Sequence, residues 1–213
     1  MTRAELLAEL KEVLHDSDQD GMWGERALLN YLAEGQDKFC EETGYFSDKT
    51  NYTITLIADQ ADYALSDRVI KLEKVWDGTR QLKKLVSGRW PTTVVSSTPV
   101  YWTTGRETGK VSLYPTPTTD NAGDTYILDV WRYSRNYLAD TGAAPEIPSR
   151  FQWACIEWAA HKALSNDDME IYDPNAAARH KKNFLEYVAN GRIALDRIMG
   201  NELYVEPNQT YVV

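Results

Sequence analysis

The chain is poor in the residues that build covalent or metal-linked scaffolds. Its 213 residues hold two cysteines, Cys40 and Cys155, and three histidines, His15, His161 and His180. There is no Cys-x-x-Cys pair, which excludes the common zinc and redox motifs. Each cysteine lies inside an apolar helical pattern, so buried free thiols are expected rather than a disulfide. No apolar run approaches the length of a membrane span, and no membrane partner is expected. The start, Met1-Thr2-Arg3-Ala4-Glu5, is charged and helical in pattern, with no apolar signal-peptide core behind it. The chain is therefore expected to stay where it is made. A Gly-rich phosphate loop, a Walker motif and a Gly-x-Ser-x-Gly elbow are all missing. No catalytic residue and no cofactor is assigned, and the chain reads as a structural protein rather than an enzyme.

Aromatic residues are plentiful, with 7 Trp and 13 Tyr, which argues against disorder. The net charge of −9 is unevenly spread. Residues 1–48 hold 12 acidic and 4 basic side chains, whereas residues 174–200 hold 2 and 5. A net acidic chain is a poor general nucleic-acid binder, because phosphate contacts need clustered cations. Opposite signs at the two ends imply attraction between them, within one chain or between copies.

Periodicity divides the chain. Thr2 and Glu5 form a capping box. Leu6, Leu10 and Val13/Leu14 continue it as a helix ending near His15. A second helix follows Trp23-Gly24, with Leu28, Leu32, Gly35 and Phe39 on its spine, and stops at Thr43-Gly44. The period then changes to two. Tyr52, Ile54 and Leu56 alternate with threonines, Val69 to Trp76 is a strand, and Asp77-Gly78 is a turn. Val94-Val95, Val100 to Thr103 and Val111 to Tyr114 are shorter strands, and Tyr126 to Tyr133 alternates well. Helices return at Ile147-Pro148, with a capping box at Ser149 and Gln152. The helix from Phe151 to Leu164 is apolar almost all round and belongs in the middle of a bundle. Asp173-Pro174 starts the last helix, which ends near Gly200.

These elements predict an α+β fold: a four-helix bundle formed by N- and C-terminal helix pairs, with an inserted small antiparallel β domain. The expected boundaries are 1–48 and 143–200 for the bundle halves, 49–142 for the β domain, and 201–213 for an extended tail. Gly35 and Gly191 each interrupt an apolar helical spine. That costs about 1 kcal/mol against Ala, and close backbone approach at a helix crossing would explain it.

Three constellations invite a chemical reading. Asp16-x-Asp18-x-Asp20-Gly21 matches the first half of a calcium-binding EF-hand loop. Its twelfth position is Ala27, where a bidentate carboxylate is required, so a solvated acidic turn is favoured and a calcium-binding interaction module is a lesser alternative. Glu157 and His161 lie four apart on one helix and are expected to form a local pair. A bundle metal site needs Glu-x-x-His twice, which this sequence lacks. Arg179-His180-Lys181-Lys182 reads first as a solvated helix face. Its functional reading makes Arg179, Lys181 and Lys182 a contact for an acidic neighbour. The tail residues Tyr204, Val205, Tyr211, Val212 and Val213 are strand-formers that can add an edge strand to a partner sheet.

The layout resembles the head-to-tail adaptor, or connector, proteins of tailed bacteriophages. An acidic turn leads into Trp23-x-x-x-x-Leu28-Leu29-Asn30-Tyr31-Leu32-Ala33-Glu34-Gly35-Gln36, followed by Phe39-Cys40-Glu41-Glu42-Thr43-Gly44. Tyr63-x-Leu65-Ser66 is similar to the family's Tyr-x-Leu-Pro, with Ser66 in place of proline. Val75-Trp76-Asp77-Gly78-x-Arg80-x-Leu82, Leu113-Tyr114-Pro115-x-Pro117 and Ile147-Pro148 resemble later segments. The resemblance spans about residues 1–200. It implies a virion protein of the neck or tail, present in host cytoplasm before assembly. It also implies a homo-oligomeric ring of twelve copies between the portal protein and a downstream tail or nozzle protein, with DNA passing through unread. Another ring component, such as a stopper or tail-tube protein, is the nearest alternative. A bundle enzyme whose site the sequence does not reveal is a remoter one.

Overall fold

The computed structural model describes residues 1–16, 22–85, 98–139, 144–166 and 172–198. The chain divides into two compact units, one from Met1–Tyr45 and Asn136–Val213, the other from Phe46–Arg135.

The first unit is helical. Helix α1, Arg3–Val13, starts at the Thr2 capping box: Thr2 Oγ1 accepts from the Glu5 amide, and Glu5 accepts from the Thr2 amide. Helix α2, Glu25–Thr43, stops at Gly44, whose φ of 63° is the left-handed cap that glycine adopts without strain. Helix α3, Trp153–Leu164, follows a 3-10 turn over Ser149–Phe151. Helix α4, Pro174–Ile198, starts at Asp173, whose carboxylate accepts from the Asn175 and Ala176 amides.

Two expectations for this unit are overturned. The four-helix bundle of N- and C-terminal helix pairs does not form. Helix α3 is instead the packing centre, with α2 and α4 both laid along it. Helix α1, of 11 residues, rests on α2 and α3 through Leu6 and Leu10. That packing is slight beside the α2–α3 and α3–α4 contacts, so α1 supports the assembly rather than forming a fourth equal wall. The Ser149–Gln152 capping box is also absent. Gln152 turns inward instead, and its amide donates to the Ile147 carbonyl at 3.0 Å.

Both spine glycines sit at helix contacts. A Cβ on Gly35 would lie 2.9 Å from the Cys155 carbonyl oxygen and 3.0 Å from the Cys155 Cα of α3. A Cβ on Gly191 would lie 2.8 Å from the tip of the Phe39 ring. Phe39 in turn packs against Tyr45 and Phe151, with ring centroids 6.0 and 5.4 Å away. Cys40 and Cys155 are buried, free thiols, and burial pushes the Cys155 thiol well up.

Among the described residues, the second unit holds two four-stranded sheets. Strands β1 (Phe46–Asp48), β2 (Thr53–Thr55), β4 (Val69–Trp76) and β8 (Thr125–Arg132) form one. Strand β8 is its axis: β4 pairs along one edge, and β1 and β2 lie end to end on the other, all antiparallel. Strands β3 (Asp62–Ala64), β5 (Lys83–Lys84), β6 (Tyr101–Thr104) and β7 (Lys110–Tyr114) form the second, in the order β3-β7-β6-β5. The β5–β6 pair is parallel, so this unit is not purely antiparallel. Ile54, Leu72, Val75, Trp102, Leu113 and Leu128 belong to one buried core. The strand expected at Val94-Val95 lies outside the described residues.

Asp48, at the end of β1, is the buried polar anchor of this unit. It accepts from the Thr50 and Asn51 amides at 2.9 and 3.1 Å, from Arg132 Nε at 3.3 Å, and from Arg135. Burial pushes its carboxyl up. The donation from Thr50, Arg135 and Asn51 outweighs that and holds it far below the usual carboxylate range.

Gly35→Ala should destabilise by about 2 kcal/mol in urea denaturation, because its clash is with backbone that cannot turn aside. Gly191→Ala should cost less, since the obstruction is the far end of a ring. An unchanged Gly35→Ala midpoint would reject the close approach of α2 to α3. Asp48 carries a depressed folded pKa, so its stabilisation is present above an unfolded value of 3.8 and is lost as pH falls through the folded one. Asp48→Asn should destabilise by about 3 kcal/mol at neutral pH and flatten the acid limb of the stability curve. Parallel acid limbs in denaturation series from neutral to acid pH would contradict the assignment.

Candidate interaction surfaces

The residues singled out as contacts fall into two groups. Arg179, Lys181 and Lys182 lie on α4, and all three are exposed. Tyr204, Val205, Tyr211, Val212 and Val213 lie outside the described residues.

His180 separates from its basic neighbours. It turns inward, and its Nδ1 stands 2.7 Å from Glu157 Oε2 on α3, with Asn183 Nδ2 3.3 Å from the same oxygen. The expected pair of Glu157 with His161 is therefore replaced by a pair between two helices. His161 Nδ1 instead lies 3.1 Å from the Ala177 carbonyl and 3.2 Å from Ser165 Oγ. Burial holds the His161 imidazole below its ordinary value. Sequence spacing identifies neighbours on one helix; it carries no information on which residue of α4 is laid beside Glu157.

The attraction between the acidic and basic ends is partly realised inside the first unit. Arg192 of α4 donates from Nε to the Glu42 carbonyl at 2.7 Å and meets the Glu42 carboxylate at 3.0 Å. A cation there also suits the negative end of the α2 dipole. Lys162 of α3 stands 3.3 Å from Glu34 of α2. The cations Arg179, Lys181 and Lys182 join none of these pairs; Lys182 lies 3.9 Å from Glu186, one turn along its own helix.

Asp16 has a structural use that the calcium reading did not foresee. Its buried carboxylate accepts from the Met22 amide at 2.7 Å and the Trp23 amide at 3.3 Å, closing the loop onto the start of α2. Asp18 and Asp20 lie outside the described residues. Among the described residues no group of three or more His, Cys, Asp or Glu side chains is placed to hold a metal ion. No described helix is long and apolar enough to cross a membrane.

An open cleft of about 750 Å³ lies in the second unit, lined in part by Leu65, Val69, Ile70, Lys71, Lys84 and Lys110. Its cations are engaged locally. Lys71 pairs with Glu73 and lies over the Trp131 ring, Lys84 lies over Trp102, and Lys110 pairs with Glu107.

No curated protein matches the chain. A family model described as SU10 adaptor protein matches residues 1–203. That span takes in all of the second unit, the first unit up to residue 203, and every described helix and strand. Proteins of this family are structural phage components that interact with other parts of the head and tail. On a match of that extent, the chain belongs to the SU10 adaptor family of phage head-to-tail adaptors.

Proposed function

We propose that this chain forms a homo-oligomeric ring of twelve copies between the portal protein and a downstream tail or nozzle protein, and that DNA passes through the ring. The observation that carries the reading is the adaptor-family match over residues 1–203. Physical chemistry supports it in two ways. A net charge of −9 suits a conduit, because like charge avoids the counterion release that would hold DNA in place. Interfaces built from Trp and Tyr are well suited to joining subunits, and the chain is rich in both. The work is coupling and sealing, with no bond made or broken. The tail residues Tyr204, Val205, Tyr211, Val212 and Val213 add an edge strand to a neighbouring protein.

The test is an affinity pull-down of the tagged chain from a lysate of its native source during particle production, read by mass spectrometry. Portal and tail proteins should be recovered in fixed proportion. Recovery of neither, from a lysate shown to contain both, would reject the adaptor role. In the same assay a chain lacking residues 203–213 should fold but fail to join the assembly; normal incorporation would remove the tail from the docking account.

A further inference from the structure

Helix α4 presents two different apolar stripes. Ala177, Phe184, Val188 and Gly191 are buried on the side that meets the rest of the first unit. A second stripe, Ala178, Leu185, Ala189 and Ile193, is exposed, with Leu185 at 51% and Ile193 at 45%. Single exposed apolar side chains are ordinary on a protein surface. Four on one stripe, with Lys182 among them and Arg179 and Lys181 to either side, make a linear surface that is basic toward the N-terminal end of α4 and apolar beyond it.

The opposite surface exists on α1. Glu5, Glu9 and Glu12 are spaced four and three residues apart, so they line one face of that helix. Ala4 and Ala8 are exposed beside them and offer small side chains for close approach. Three carboxylates in a row repel one another by a few tenths of a kcal/mol per pair, and cations from elsewhere relieve that. Among the described residues, no ion pair joins these carboxylates to Arg179, Lys181 or Lys182 within the chain.

We infer that the exposed stripe of α4 docks on the acidic face of α1 of a second copy, with Arg179, Lys181 and Lys182 facing its carboxylates and Leu185 and Ile193 as the apolar contacts. Charge complementarity selects this occupant over an unrelated partner: both halves of the match are carried by the same chain. The two patches differ, so the contact is heterologous, head to tail. Such a contact propagates from copy to copy and closes into a ring when its rotation allows. The inference rests on the ring reading above and names the surface on which copies meet.

The test is a charge swap on the full chain, followed by sedimentation over a range of concentrations at low and high ionic strength. The unaltered chain should self-associate at low ionic strength and less so in added salt. Lys181→Glu with Lys182→Glu, and separately Glu9→Lys with Glu12→Lys, should each weaken association about tenfold or more. Glu5 is left in place because it caps α1. An equimolar mixture of the two altered chains should associate again, since each then meets its opposite charge. Recovery in the mixture also shows that neither variant had merely misfolded. The inference is overturned by an unaltered chain that stays monomeric throughout, by variants that associate as strongly as it does, or by a mixture that stays dissociated. A monomeric chain that still recovers portal and tail proteins from lysate would overturn this surface alone and leave the adaptor role standing.

Discussion

Backbone meets backbone where α2 crosses α3, and the helical unit is arranged around that contact. At Gly35 the missing side chain lets α2 sit against the Cys155 carbonyl, closer than any other residue would permit. Close approach is what allows α3 to be nearly all apolar: Ala154, Cys155, Ile156, Ala159, Ala160 and Ala163 are all buried, most of them small. Small side chains on α3 in turn bring α4 near, and Gly191 accepts the ring of Phe39 from α2. The bulk needed to fill the space comes from Phe39, Phe151, Trp158 and Phe184 rather than from the crossing points. Since α3 takes up one side of α4, the Leu185–Ile193 side is left to solvent.

Electrostatics divides the same unit into settled and unsettled charge. Arg192 closes onto the end of α2, and His180 joins Glu157 across α3 and α4. These pairs fix how α4 lies on its neighbours. Among the charges that remain outward, α1 carries Glu5, Glu9 and Glu12 and the first half of α4 carries Arg179, Lys181 and Lys182. Surface pairs of this kind contribute little to folding, typically under about 1 kcal/mol each. Their arrangement therefore bears more on what the unit meets than on whether it folds.

The elements that were legible in the sequence are those long enough to show their period. Val69–Trp76 emerged as β4 over its full length, and Tyr126, Leu128 and Val130 as the buried side of β8. Caps chosen by chemistry were equally clear at Thr2, Gly44 and Asp173. Strands β1, β3 and β5 were not, because two or three residues cannot display an alternation. Helix partnership was not legible either. Periodicity says which face of a helix is buried but not against what, which is why four helices suggested a four-helix bundle and why Glu157 was matched with His161 in place of His180. The role of Asp16 was illegible for a related reason: an acidic loop has one appearance whether its carboxylate faces solvent, a cation or, as here, two backbone amides.

An adaptor must join partners in a fixed register and still assemble from free subunits, and the two halves of the α4 surface answer different parts of that demand. Charge complementarity acts at long range, so it orients subunits before contact and rejects wrong pairings. Apolar burial is short-ranged and undirected, and it supplies the holding energy once register is set. Burying the exposed half of Leu185 and of Ile193 is worth about 1 kcal/mol apiece, and in the proposed ring that would recur at every copy. A modest contact would suit the proposed ring, since its closure would make each subunit's loss require two interfaces to open together. Weak pairwise docking and a stable closed assembly are thus compatible in one chain.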